Sequence, residues 1–486
     1  LAGEAGLALL LMAWWIIPLI AKKEYSLEFG TNWPVSLLRT VPLELLLALS
    51  FFSVIAFILA FARHMYAVLV FGWMLTCSVL LFYFGHQHVA PVFVNVRLWP
   101  FAFFGLLALS AAGAGMLLSK FRFKGFAVAA LLLLTLSFGM RGANNVRSWA
   151  RWNYEGAENK LRWPVFQRLI EPLKGTPGRL ANDLHEQNNA FGSSRIFESV
   201  PHLIGKPILE GGLVNSAVGS LFSYYIQGET SRSCAGFPNL VSPPSFNIEN
   251  ATAHLKLFNV KHFVAKSPAT KKALAASGDW RLITEAAGWQ LHELVSNDGR
   301  YIYVPKNPPV GVLFTSHDRD NWKKAGLEWM YSPRLLDQPF AFLRDGKEKI
   351  GFPGTMVGEE SFLSNCRNAG DGTAVSRQAV SISSNNARVL EEEISNNSIK
   401  FRTNGIGLPH IIKCTYFPNW KAKGAKRVYM VTPCFMLVYP EHEEVELYYG
   451  YVLSDKAGMA LSFLGCIVLI VLALRIVRLP SRPGTE

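Results

Sequence analysis

The sequence predicts a membrane-embedded all-α bundle of about six spans that carries an extracytoplasmic α/β unit and a β-sandwich. Two observations predict it. Half of the 486 residues are hydrophobic, and they are gathered into long runs nearly free of charge. Between residues 141 and 456 the composition changes to that of a water-soluble domain, with strand-like runs separated by Gly, Pro and Asn.

Residues 5–21, 42–62, 65–84, 98–118 and 125–140 are the first five expected spans, and 458–474 is the sixth. Each approaches the roughly 17 to 25 apolar residues that cross about 30 Å of hydrocarbon as a helix, the fifth being short. Backbone groups cannot stay unpaired in lipid, so these runs must be helices rather than open strands. The chain divides into a transmembrane region 1–140, a juxtamembrane amphipathic segment 141–170, an α/β domain 171–305, a β-sandwich 306–456, a final transmembrane helix 457–478 and a cytoplasmic tail 479–486. It begins at Leu1 with neither a Met nor a basic and apolar leader. The expectation is a piece of a longer protein with further helices before Leu1.

The formal net charge is +13, and many basic residues sit where the apolar runs end, among them Lys22, Lys23, Arg63, Lys120, Arg122, Lys124, Arg141 and Arg475. Membrane lipids account for this charge. No nucleic-acid signature accompanies it, so no nucleic-acid partner is expected. Alternating spans put 22–41, 85–97 and 141–456 on one face. The opposite loops are very short and dense in Lys and Arg with almost no acids, as cytoplasmic loops are; the first face holds a comparable number of Lys and Arg, so an outside placement of the large domain rests on that density together with the resemblance described below. Cys234, Cys366, Cys414 and Cys434 lie in that domain. They permit two disulfides in an oxidising compartment, with Cys414 and Cys434 on adjacent candidate strands; buried free thiols are the alternative.

Residues 141–170 mix Arg with Trp149, Trp152 and Trp163, a pattern suited to a helix lying at the membrane surface. It serves either as an anchor or as a platform that holds an anionic lipid. From 177 to 305, β-rich runs at 261–265 and 301–304 alternate with a helical stretch at 269–277, which predicts an α/β unit. From 310 to 451 helix signals are scarce, while strand-like runs recur at 399–402, 411–416, 428–431, 435–438 and 445–451; a sandwich is the economical reading.

Three stretches carry a family resemblance. The first is Pro91-Val92-Phe93-Val94-Asn95-Val96-Arg97. The second joins Ser194-Arg195-Ile196-Phe197-Glu198-Ser199-Val200-Pro201 to Gly205-Lys206-Pro207-Ile208-Leu209-Glu210-Gly211-Gly212 and Gln227-Gly228-Glu229-Thr230-Ser231. The third is Tyr416-Phe417-Pro418-Asn419-Trp420-Lys421-Ala422 with Gly458-Met459-Ala460-Leu461-Ser462. Together they resemble the C-terminal half of the bacterial multi-spanning proteins of the YfhO type and those named for a "6-pyruvoyl-tetrahydropterin synthase related" domain, which are similar to GT-C glycosyltransferases. No zinc-binding histidine cluster of a soluble pterin synthase accompanies the name. The resemblance implies a bacterial cytoplasmic membrane protein that takes a sugar from a polyprenyl-phosphate carrier and passes it to an envelope acceptor. It also implies a catalytic Asp or Glu in a first external loop, which this sequence does not contain in matching form.

A lipid phosphate calls for cations at the membrane surface, a role suited to the fork of Arg. Arg97 ends an outer loop just before a span and is the first candidate, followed by Arg39, with His86 and His88 as helpers; the plain alternative is that Arg97 snorkels. Glu24 and Glu28 are the candidate bases, or else solvated loop acids. Trp420 could stack on a sugar face or pack in the sandwich core. The cluster Asn182-Asp183-Leu184-His185-Glu186 holds an acid and an imidazole, with a structural role as the simpler reading. No metal or other cofactor is indicated. Partners are membrane lipids, the polyprenyl-phosphate sugar, and a cell-surface glycan or an envelope protein; a non-enzymatic protein whose outer domain binds glycan or an assembly partner is the rival to the transferase.

Overall fold

The computed structural model describes residues 2–27, 43–85, 95–119, 122, 124–142, 146–209, 218–232, 244–314, 321–343, 346–370 and 387–477. Among these, four helices are long and apolar enough to cross a membrane: Leu43–Ala62, Tyr66–Gly85, Asn95–Leu118 and Leu453–Leu474. A fifth crossing is available if the pair Gly3–Leu11 and Ala13–Ala21, bent by 70° at its break, counts as one span. The count is therefore four or five where six were expected. The segment expected as the remaining span forms the helix Lys124–Gly142. Its uncharged part, residues 125–140, rises only about 24 Å at ~1.5 Å per residue, less than the hydrocarbon thickness.

The helices Leu43–Ala62, Tyr66–Gly85 and Asn95–Leu118 form one packed unit. Small residues let their backbones approach: a Cβ on Gly113 would lie 1.9 Å from the Phe52 carbonyl oxygen, and one on Gly105 would lie 2.9 Å from that of Phe71. Close approach through small residues replaces the hydrophobic drive that lipid removes. Buried Ser53 donates to the Leu106 carbonyl at 3.2 Å and its hydroxyl lies 3.0 Å from that of Ser110, so the polar groups of this interface satisfy each other. Residues near Leu43, Gly85 and Asn95 meet at one end of the unit, as alternating spans require.

The bent pair packs on the final helix. Gly458 faces the backbone of Ala13 and Trp14, and Gly465 faces Leu10 and Leu11. Between them, Ser462 Oγ donates toward the carbonyls of Leu10 at 3.0 Å and Leu11 at 3.1 Å, and accepts from Trp14 N at 2.8 Å. One hydroxyl thus serves the backbone groups released by the break at Met12, in surroundings where unpaired groups are expensive.

The large domain holds three sheets. In the first, β1 (Arg179–Asn182) runs parallel to β2 (Val260–Ala265), while β3 (Trp280–Ala286) and β4 (Trp289–Leu294) complete the order β1-β2-β4-β3. Next in the chain come β5 (Ile302–Tyr303), β6 (Val310–Leu313), β7 (Phe340–Leu343) and β8 (Met356–Gly358). They are followed by β9 (Val389–Ile394), β10 (Ser398–Thr403), β11 (His410–Thr415) and β12 (Trp420–Lys423). The last are β13 (Tyr429–Val431), β14 (Phe435–Val438) and β15 (Glu444–Tyr449). A seven-stranded sheet has the order β5-β11-β14-β13-β7-β6-β8, and a four-stranded one β12-β15-β10-β9. Ile399, Phe401, Val445 and Leu447 of the smaller sheet share one apolar core with Ile411, Met430 and Leu437 of the larger, so the β-rich region is built around one buried core.

The front part of that region differs from a sandwich. β6 is parallel to both β7 and β8, and the helices Asn321–Met330 and Gly346–Gly351 lie between these strands in the chain, as parallel pairing demands. The first helix escaped notice because only Asn321, Lys324 and Glu328 form its polar face, while Lys323 and Gly326 interrupt the apolar pattern of the buried one. β5 also pairs with β11, which ties the two expected domains across residue 305.

Membrane helices and domain meet at one joint. Tyr25 and Leu27, just past the bent pair, are buried in the main domain core, with Tyr25 against Tyr416 and Phe417 at 6.0 and 5.5 Å. Buried Lys323 donates to the Ser26 carbonyl at 2.7 Å. Lys22 Nζ donates to Asp455, whose other oxygen accepts from Asn419 Nδ2 at 2.8 Å and Val452 N at 2.9 Å. The turn after Lys22 therefore packs directly against the large insert. Replacing Ser462 by Ala should lower full-chain stability in micelles by about 1–3 kcal/mol, the scale of a buried polar group left unmade. Thermal melting of Ser462→Ala, with Ser462→Thr as the variant that keeps a hydroxyl, checks this; an unchanged Ala variant removes the hydroxyl from the account.

Candidate functional site

Arg97 sits in the short 3-10 turn Asn95–Leu98 that leads into the helix Trp99–Leu118, with Pro100 in the first helical turn. Pro is tolerated there because its missing N–H would be unpaired anyway. Trp99 is buried and anchors the turn: its ring lies 4.7 Å from Phe82 and 5.5 Å from Phe103. Asn95 is buried too, while Arg97 is exposed. The turn is thus pinned from below by aromatic packing and presents its guanidinium outward, beside the positive end of a 20-residue helix. This arrangement can hold an anionic headgroup at the end of a span.

The other expected site residues fall elsewhere. Glu24 is half-buried in the turn Lys23–Tyr25, at the joint rather than on the three-helix unit. Glu28, Arg39, His86 and His88 lie outside the described residues. Trp420 opens β12 half-buried, edge-on to Tyr449 at 5.7 Å and packed against the main core, so its ring serves packing there. In the juxtamembrane segment the helix Val146–Tyr154 leaves Trp149 68% and Tyr154 92% exposed. The following helix Trp163–Ile170 instead buries Phe166 and Leu169 in a second core with Phe191, Phe197 and Trp289, so it belongs to the domain.

The acid and imidazole of residues 182–186 are structural. Asp183 is 1% exposed, and its carboxylate accepts from Lys266 N at 3.0 Å and Ser267 N at 2.8 Å, closing the turn from β2 into the helix Pro268–Ala276. Burial pushes its carboxyl above the ordinary carboxylate range, opposed in part by these donors. His185 Nδ1 accepts from Gln187 N at 3.1 Å and caps the next turn. Among the described residues no group of three His, Cys, Asp or Glu could hold a metal. The expected Cys414–Cys434 disulfide is absent and both are free thiols; burial raises the Cys434 thiol to about 12, opposed by a hydrogen bond with Thr415.

Sequence spacing did not point to a buried pair formed by Glu229 and His254. Glu229 lies on the helix Ser220–Thr230, every residue of which is buried, and His254 on the helix Ile248–Leu257. His254 Nδ1 is 2.8 Å from Glu229 Oε2, and its Nε2 is 2.9 Å from the Met330 carbonyl, which fixes Nε2 as a donor. Burial raises the Glu229 carboxyl, with His254 opposing. With both ring nitrogens engaged and the pair 1–2% exposed, it ties helices together and has no face open to a substrate. The only sequence signal is the Gln227-to-Ser231 stretch, which marks the segment but not its partner.

Glu229→Gln retains a hydrogen-bonding amide and should change stability by less than about 1 kcal/mol, whereas Glu229→Ala strands a buried imidazole and should lose about 3 kcal/mol or more. Melting temperatures of both variants test this ordering. Comparison of the chain with known protein families, with characterised proteins and with solved structures finds no match.

Proposed function

We propose that this chain is part of a GT-C-like membrane glycosyltransferase that moves a sugar from a polyprenyl-phosphate donor to a cell-envelope acceptor on the outer face of a bacterial cytoplasmic membrane. The observation that carries the proposal is the exposed guanidinium of Arg97, held at the head of the Asn95–Leu118 helix by buried Trp99. When the sugar leaves its carrier, the bond from the anomeric carbon to the phosphate oxygen breaks and negative charge gathers on the phosphate. A fixed guanidinium beside a helix N-terminus stabilises that charge more than it stabilises the intact donor. The acceptor hydroxyl gives its proton to a carboxylate; Glu24, in the turn at the joint, is the candidate among the described residues only if the acceptor reaches that joint from the Arg97 end.

One observation favours the rival, a non-enzymatic membrane protein whose domain binds glycan or an envelope partner. Asp183, His185 and the Glu229–His254 pair are all engaged within the fold. The test is transfer of labelled sugar from polyprenyl-phosphate donors in membranes containing the protein. Arg97→Ala should reduce transfer by about 100-fold or more at normal protein level, on the scale of losing one fixed electrostatic donor, with partial retention in Arg97→Lys. Transfer that survives Arg97→Ala contradicts the donor role, and a wild type inactive with every donor favours the binding role.

A further inference from the structure

At the outer end of the three-helix unit, between the spans, lies a partly open crevice of about 110 Å³ lined by Leu46, Ser50, Val79, Trp99, Phe103 and Leu106 among others. Its walls are almost entirely apolar, and an apolar cavity of this size stays dry; one of ~150 Å³ takes up benzene instead of water. Around it the unit exposes Leu47, Phe51, Trp73, Phe101 and Phe104, so in a membrane the fluid against this surface is acyl chain.

One polar group sits in that wall. The Trp99 side chain is 7% exposed and its Nε1–H has no acceptor. The neighbouring Phe82 and Phe103 rings offer none, and a buried indole N–H normally finds a partner. Depth narrows the choice of acceptor. Exposed Arg97, two residues earlier, marks the phosphate level, and Leu106 lies about 10 Å further along the helix axis at ~1.5 Å per residue. The crevice therefore runs from just under the phosphates into the chain region. A glycerophospholipid carries a neutral ester carbonyl just below its phosphate and an alkyl chain below that. A polyprenyl phosphate has the chain but no carbonyl.

We infer that one bilayer glycerophospholipid seats an acyl chain in this crevice, its ester carbonyl accepting the hydrogen bond of Trp99 Nε1–H. The lipid fills the gap among the three helices and is a part of their packing. It is a different molecule from the proposed sugar donor, and the inference holds whether or not the protein transfers sugar.

The test uses the full chain in bilayers of ester-linked phosphatidylcholine and of its ether-linked analogue with the same chains, which lacks the carbonyls. Wild type should melt higher in the ester lipid by about 1 °C, the shift expected from one lost hydrogen bond in a chain of this size. Trp99→Phe should abolish that difference. Native mass spectrometry of wild type released from ester bilayers should retain one phospholipid, and Ala102→Phe, which fills the crevice from the next turn of the helix and keeps the indole N–H, should lose it. Equal melting of wild type in the two lipids, an ester preference that persists in Trp99→Phe, or a retained mass that is a polyprenyl phosphate overturns the inference.

Discussion

Asp455 is the point on which both halves of the molecule turn. It stands in the first turn of the last span, where it receives Lys22 from the end of the first helical pair, Asn419 from the turn before β12, and the amide of Val452. A carboxylate that is only 8% exposed is retained only with such donors. Because the donors come from the first membrane segment, the domain and its exit, the same group fixes the azimuth of the helices against the β-sheets. Tyr25 and Leu27 then extend the contact by entering the domain core. The domain is thus keyed to two membrane segments that lie at opposite ends of the chain.

This keying explains which features the amino-acid pattern disclosed. Runs such as 43–62 and 453–474 are visible because crossing a bilayer demands a long uncharged stretch, a property local to the run. The break in the first pair is not visible. Pro18 is the residue that advertises a kink, yet the 70° bend lies at Met12, where Ser462 supplies the missing hydrogen bonds from the far end of the chain. Strands β10, β11, β14 and β15 were legible from alternation and apolar runs, whereas the helix Asn321–Met330 has a narrow polar face of Asn321, Lys324 and Glu328 and buries Lys323 among its apolar residues, which blurs its period.

The candidate site divides in the same way. Arg97 could be picked out because a cation at the end of an apolar run is a local signal. Trp99 was hidden among apolar residues, and only the packed helices show that its indole nitrogen lacks a partner. Glu229 and His254 meet because two helices pack side by side, which no spacing along one element records. The acid and imidazole of residues 182–186 were conspicuous in the sequence, and the fold uses both as turn caps.

The Lys22–Asp455 contact couples the N-terminal helices to the last helix and, through Asn419, to the domain, and a double-mutant cycle on the full chain measures that coupling. Unfolding free energies of Lys22→Met, Asp455→Leu and the double variant in micelles are the quantities needed. The account predicts that the double variant loses less than the two single losses added together, by about 1–3 kcal/mol, since the pair shares one buried interaction. Losses that add to within about 0.5 kcal/mol would show the two residues acting independently and would contradict a joint built on that contact.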